Sequence, residues 1–178
     1  MLYARIPQER IGVLIGPDGA TKRRLEAETG CKVLVDSESG EVTIDESAAK
    51  DKFLAVKMRD LVTAIGRGFS EERAFRLLDD DSYFVVLDIK DHARTPARIA
   101  QVRARVIGTR GKTRRIIEDL TGADMSVYGH TVSLIADDVQ LPIAQEAVEM
   151  LLKGSEHATV YRFLERKRGQ LRIAEMGF

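Results

Sequence analysis

The chain has 178 residues, 44% of them apolar, with 28 basic and 28 acidic side chains and a formal net charge of zero. That length suffices for one medium or two small domains with real cores. No apolar run approaches the ~18–20 residues of a membrane span, and the opening MLYARIPQER lacks the apolar core of a signal peptide, so a cytoplasmic protein without a membrane partner is expected. Its single cysteine, Cys31, excludes an internal disulfide framework and a cysteine-rich zinc site.

In chain order, LYARI (2–6) reads as a strand and ERIGVLI (9–15) as a first short helix, broken by Gly16-Pro17-Asp18-Gly19. ATKRRLEAET (20–29) is a second helix, CKVLV (31–35) and EVTI (41–44) are strands, and AAKDKFLAVKMRDLVTAI (48–65) is a third helix. SEERAFRLLDD (70–80) is a helical connector. The order then starts again. YFVVLDI (83–89) is a dense β-branched and aromatic run, expected as a buried strand. TPARIAQVRARVI (95–107) is amphipathic, with Pro96 in its first turn and Ile99, Val102, Val106 and Ile107 three or four apart. Gly108 to Gly111 breaks it, and KTRRIIEDLT (112–121) follows, with Gly122 as its expected cap. DMSVY and TVSLIA form a hairpin around Gly129-His130. VQLPIAQEAVEMLLKG (139–154) is a helix with an expected irregularity at Pro142, and EHATVYRFLERKRG (156–169) is a last helix.

The two halves match residue by residue. With an offset of 92, Ile15-Gly16 falls on Ile107-Gly108, Gly19 on Gly111, Thr21 on Thr113, and Lys22-Arg23 on Arg114-Arg115. Glu26 falls on Glu118 and Thr29-Gly30 on Thr121-Gly122; dropping two residues in the next turn aligns Val42-Thr43-Ile44 with Val132-Ser133-Leu134. Register over some thirty positions means two copies of one small domain.

Charge is distributed unevenly between the copies. From Arg94 to Arg115 there are eight basic residues and no acidic one, whereas carboxylates gather between Asp36 and Asp51 and in Asp79-Asp80-Asp81. That points to one basic face on a neutral protein. Asparagine is absent and arginine (19) outnumbers lysine (9), a depletion of heat-labile residues that leans toward a thermophilic source.

Three readings compete for the Gly-x-x-Gly turn. A nucleotide-hydrolysing phosphate loop needs a glycine five residues before its Gly-Lys pair, between a strand and a helix. Val106 stands there, after a predicted helix, and no second carboxylate strand follows. A plain helix–helix link explains the glycines, which tolerate positive φ, but not the second copy's charges. The third reading is a nucleic-acid clamp. The order of elements and the Ile-Gly-x-x-Gly pattern of both copies resemble the type I KH domain, which implies a grip on about four nucleotides of single-stranded RNA. The fold class this implies is α+β: two tandem type I KH domains, each a three-stranded antiparallel sheet packed against three helices, with an extra C-terminal helix. Their expected spans are 1–81 with the connector helix, and 82–178 with the C-terminal helix.

In that reading Gly108 and Gly111 admit a sugar-phosphate chain close to the main chain, and the following helix points unpaired N–H groups at phosphates. Thr109, Arg110, Lys112, Arg114 and Arg115 complete the second loop's candidate set; Gly16, Pro17, Asp18, Gly19, Lys22 and Arg23 form the first's. Met125 and Val127 are candidates for an apolar floor under the bases, although alternate strand residues must also fill the core. Asp18 puts a carboxylate where a phosphate would sit, so the second copy is expected to carry most of the RNA affinity. The first binds weakly or serves as a protein-contact surface.

Three longer stretches resemble the archaeal two-KH ribosome-assembly family, whose eukaryotic relative is the partner of Nob-one. They are TAIGRGFSEERAFRLLDDD, RVIGTRGKTRRIIEDLTGADMSVYGHTVSLI and LLKGSEHATVYRFLE. The resemblance implies binding near the 3′ end of small-subunit rRNA, beside the nuclease that trims it, and contact with the alpha subunit of initiation factor 2. A non-enzymatic RNA-binding assembly factor is therefore expected, with no cofactor and no metal; a protein-interaction scaffold built on KH folds is the alternative. His92, His130 and His157 are scattered and read as surface or turn residues, Cys31 as a small core residue. The basic YRFLERKRGQLR (161–172) reads as a solvated or packing helix before a second RNA contact.

Overall fold

The computed structural model describes residues 1–177. The chain divides into two compact units, Met1–Asp80 and residues 81 onward. In the first, β1 (Leu2–Arg5) leads into α1 (Gln8–Ile15), a single 3₁₀ turn over Pro17–Gly19, and α2 (Ala20–Thr29). Then come β2 (Lys32–Val35), β3 (Glu41–Asp45), α3 (Lys52–Gly66) and α4 (Glu71–Phe75), followed by a 3₁₀ turn over Arg76–Leu78. The second unit repeats the order: β4 (Tyr83–Asp88), α5 (Pro96–Ile107), a 3₁₀ turn over Thr109–Gly111, α6 (Lys112–Thr121), β5 (Asp124–Tyr128), β6 (Thr131–Ala136), α7 (Gln140–Leu152) and α8 (His157–Glu175).

Each sheet has three antiparallel strands with the third strand of its unit in the middle, β1-β3-β2 and β4-β6-β5. Alternation then sets the core. Val33, Val42 and Ile44 face α1–α3, where Leu14, Leu25, Met58, Leu61 and Ile65 meet them, fully buried or nearly so. In the second unit Met125, Val132 and Leu134 pack with Val102, Val106, Ile117, Val148, Leu151 and Leu164 in one cluster. α8 belongs to that cluster through Val160, Phe163, Leu164 and Leu171.

Five expectations are corrected. YFVVLDI is an edge strand, with Tyr83 and Val86 exposed at 49% and 39%. The strand buried along its whole length is β6, which has neighbours on both sides. Pro142 causes no irregularity: it is the third residue of α7, in the first turn, where an N–H has no intrahelical acceptor to lose. The connector helix stops at Phe75, and the last helix runs on to Glu175. Met125 is 1% exposed and cannot form a floor for bases, while Val127 is half-buried against the same core.

Candidate nucleic-acid interface

Both Gly-x-x-Gly loops adopt one backbone. Gly108 sits at φ 75°, ψ 170° and Gly16 at φ 75°, ψ 175°, a region open in practice only to glycine. Space enforces the same choice. A Cβ on Gly108 would lie 2.3 Å from Thr113 Oγ1 and 2.6 Å from its amide nitrogen; on Gly16 it would lie 2.1 Å from Thr21 Oγ1. The last glycines, Gly111 and Gly19, are left-handed (φ 76° and 77°), and a Cβ on Gly111 would meet nothing closer than Arg115 Nη1 at 3.8 Å. The third loop residues are also left-handed, although neither is glycine: Arg110 at φ 56° and Asp18 at φ 53°. Sequence reading missed this; an aspartate at the equivalent position was its only signal, since Asp is enriched in that region and arginine is not.

Other matched positions of the repeat build the scaffold. Glu118 Oε1 accepts from the Met125 amide at 3.0 Å, and Glu26 Oε1 from the Val33 amide at 2.9 Å, tying second helix to second strand in each copy. Thr121 Oγ1 donates to the Ile117 carbonyl and accepts from the Ala123 amide; Thr29 does the same with Leu25 and Cys31. Cys31 is buried, and burial pushes its thiol pKa up, which keeps it an inert packing group.

An arginine clamps the first helix of each unit to the end of the third. Arg105 donates to the Leu151 and Ser155 carbonyls. Arg10 donates to those of Ile65 and Phe69 at 2.8 and 2.7 Å. Arg105 is thereby withdrawn from the basic face. His157 joins the clamp, its Nε2 2.9 Å from the Arg105 carbonyl, and His130 Nδ1 lies 2.9 Å from Asp88 Oδ1 beside the β5–β6 turn. Among the described residues no group of histidine, cysteine or carboxylate side chains has a metal-binding arrangement, and no helix is long and apolar enough to cross a membrane.

The loops differ in what their cations do. In the first copy Lys22 pairs with Glu26 at 3.7 Å, Arg23 Nη1 donates to the Asp18 carbonyl at 2.5 Å, and Arg24 pairs with Glu28 at 2.8 Å while lying 3.9 Å over the Phe75 ring. Every cation is answered locally, and Arg23 folds over its own loop. In the second copy Arg114 pairs with Glu118 at 3.2 Å. The side chains of Arg110, Lys112 and Arg115 are exposed and make no hydrogen bond or ion pair among the described residues. Thr109 is exposed beside them, and Arg103 on α5 and Arg94 just before it add further exposed positive charge. Half-buried Ile99, Ile116, Leu120 and Val127 supply partly accessible apolar surface on α5, α6 and β5.

Comparison with known proteins agrees with this geometry. The family model described as the eukaryotic-type KH-domain (KH-domain type I) matches residues 83–169, and that of the KH domain matches residues 3–53. The KH domain-containing protein MJ0443 of Methanocaldococcus jannaschii is 47% identical over 171 residues, 96% of this chain and 75% of that protein. The pre-rRNA-processing protein PNO1 of Chaetomium thermophilum is 31% identical over 108 residues, 59% of this chain and 42% of that protein. Among solved structures, a chain of the a/eIF2alpha-aDim2p-rRNA complex from Pyrococcus horikoshii OT3 superposes with a TM-score of 0.89 at 46% identity, over 96% of this chain and 94% of that one.

Proposed function

The chain belongs to the KH-domain family, as a two-KH protein akin to the archaeal KH proteins and the PNO1/Dim2 relatives, and on that premise we propose that it binds single-stranded RNA as a small-subunit ribosome-assembly factor. The second loop, Gly108 to Gly111 with Thr109, Arg110, Lys112, Arg114 and Arg115, carries the grip, and the RNA is the 3′ region of small-subunit rRNA. The observation that carries this reading is the contrast in cation use: the second copy keeps Arg110, Lys112 and Arg115 free for phosphates, while the first spends Lys22, Arg23 and Arg24 internally. Relatives support the biological setting, one being a pre-rRNA-processing protein and one being held in a complex with rRNA and a/eIF2alpha. The partners that follow are the rRNA itself, the alpha subunit of initiation factor 2 and the nuclease acting at the rRNA 3′ end. The protein is a binder, not a catalyst. The closed first loop favours a second role for Gly16 to Gly19, as a surface for protein rather than RNA.

The test is titration of the full chain with labelled single-stranded RNA from the 3′ end of small-subunit rRNA, against a scrambled RNA, across a salt series. Log affinity should fall with log salt by about 0.7 per phosphate contact. Thr109→Asp/Arg110→Asp should abolish the preference without unfolding the loop, because Asp18 already occupies the Arg110 conformation in the first copy. Equal binding of both RNAs with an indifferent double variant would overturn the assignment in favour of a protein scaffold.

A further inference from the structure

We propose that α8 is part of the RNA interface, and that Arg162 and Arg166, beside Tyr161, take phosphates of nucleotides lying just outside the grip of the second loop. The inference rests on that loop being the RNA site. It starts from how the loop is held. Thr113, whose Oγ1 and amide fill the space that Gly108 leaves open, meets the Tyr161 hydroxyl at 2.9 Å. One hydrogen bond therefore separates α8 from the anchor of the Gly-x-x-Gly turn. A surface hollow of 640 Å³ runs along the same stretch of α8, lined by Thr159, Tyr161, Arg162, Glu165 and Arg166.

The charges there are arranged for an anion. Glu165 is answered by Arg168 at 3.8 Å, whereas the side chains of Arg162 and Arg166 are exposed and make no hydrogen bond or ion pair among the described residues. They stand four residues apart, about 6 Å along the helix axis, so both can follow one extended strand. Tyr161 is half-buried and lines the same hollow.

Internal repetition supplies the control. Beyond the third helix the two copies align with an offset of 86: the Gly68 and Gly154 amides each donate to the equivalent carbonyl, Ile65 and Leu151, at 3.1 Å, and both glycines have φ 100°. In that register Phe75 corresponds to Tyr161, and Thr21, the counterpart of Thr113, is held by Glu71 at 2.9 Å. The segment after each third helix thus braces its loop in both copies. Continuing the register, Asp79-Asp80-Asp81 falls on Glu165-Arg166-Lys167, and α4 ends where α8 carries on. Bracing alone needs only the first turns. The further turns, and an arginine and a lysine in place of the last two aspartates, occur solely in the copy whose loop cations are free.

The experiment titrates the full chain with two RNAs from the 3′ end of small-subunit rRNA, one of about four nucleotides, the length a KH groove clamps, and one of about twelve. Wild type, Arg162→Glu/Arg166→Glu and Thr109→Asp/Arg110→Asp are compared, with circular dichroism to establish that each is folded. The α8 variant should weaken the longer RNA at least about tenfold and lower its salt slope by about 1.4, two contacts at 0.7 each, while leaving the four-nucleotide RNA within about twofold. An unchanged slope and affinity on the longer RNA would overturn the inference and leave α8 as a brace or a protein surface. Equal loss on both RNAs would also overturn it, since the effect would then act through the loop. Failure of the loop variant to weaken either RNA sinks the reading of the second loop, and this inference with it.

Discussion

Replacing Gly108 by alanine is the sharpest test of how the loop is built. At φ 75°, ψ 170° an alanine costs about 1–3 kcal/mol in backbone strain. Its Cβ would also lie 2.3 Å from Thr113 Oγ1, 2.6 Å from Thr113 N and 2.8 Å from Thr113 Cβ. Thr113 must then move off Tyr161, with loss of a hydrogen bond contributing about 0.5–1.5 kcal/mol. The sum, about 1.5–4.5 kcal/mol, is a large part of the roughly 5–15 kcal/mol that holds a domain. Gly111→Ala is the control: its φ of 76° and ψ of 16° are left-handed but its Cβ would find nothing nearer than Arg115 Nη1 at 3.8 Å, so only about 1–2 kcal/mol is at stake. Urea unfolding followed by tyrosine fluorescence, since the chain has no tryptophan, together with amide exchange of α5 and α6, reads both variants. Removing the hydroxyl as well, in Gly108→Ala/Thr113→Ala, should recover little, because the 2.6 Å contact is to backbone. Equal destabilisation by the two glycine variants, or full recovery in the double variant, would refute the steric account.

Arg110→Gly relieves left-handed strain of about 1 kcal/mol while adding roughly 0.5–1 kcal/mol of unfolded-chain entropy; the melting temperature should hardly move while RNA affinity falls, a split that thermal melts and titration on one sample will display. Arg105→Lys cannot span the Leu151 and Ser155 carbonyls, so a charge-assisted bond of about 1.5–3 kcal/mol is lost, and calorimetry should show the second unit melting roughly 10 °C lower. Asp60 in α3 has its pKa raised by burial, against the pull of Arg59 and Lys57. Its folded state therefore holds the proton more tightly than the unfolded chain, and this group's contribution to stability declines as pH rises from the unfolded carboxylate pKa through the folded one. Asp60→Asn should remove that decline and stabilise the protein at neutral pH; unfolding curves from pH 4 to 7 that run parallel for the two proteins would contradict it.

Much of this was readable in the residues themselves. Helix and strand order followed from periodicity, because one face of every element must be apolar to be buried. The repeat was visible because both copies need the same glycines, the same Thr-Gly at the end of the second helix and the same glutamate reaching back to the strand amide. The uneven charge of the two loops was likewise a matter of counting. Position in the sheet was not: YFVVLDI and TVSLIA are both strong strand sequences, and only the topology puts the first at an edge and the second in the middle. Nor was the use of charge. Arg105 and Arg115 are alike in the sequence, yet one is folded onto the carbonyls at the end of α7 and the other stands free. Local sequence sets which backbone shapes and faces are cheap, because those energies depend on neighbours in the chain. Which cation reaches a carboxylate, and whether Tyr161 braces Thr113 some 48 residues away, depend on groups that only packing brings together.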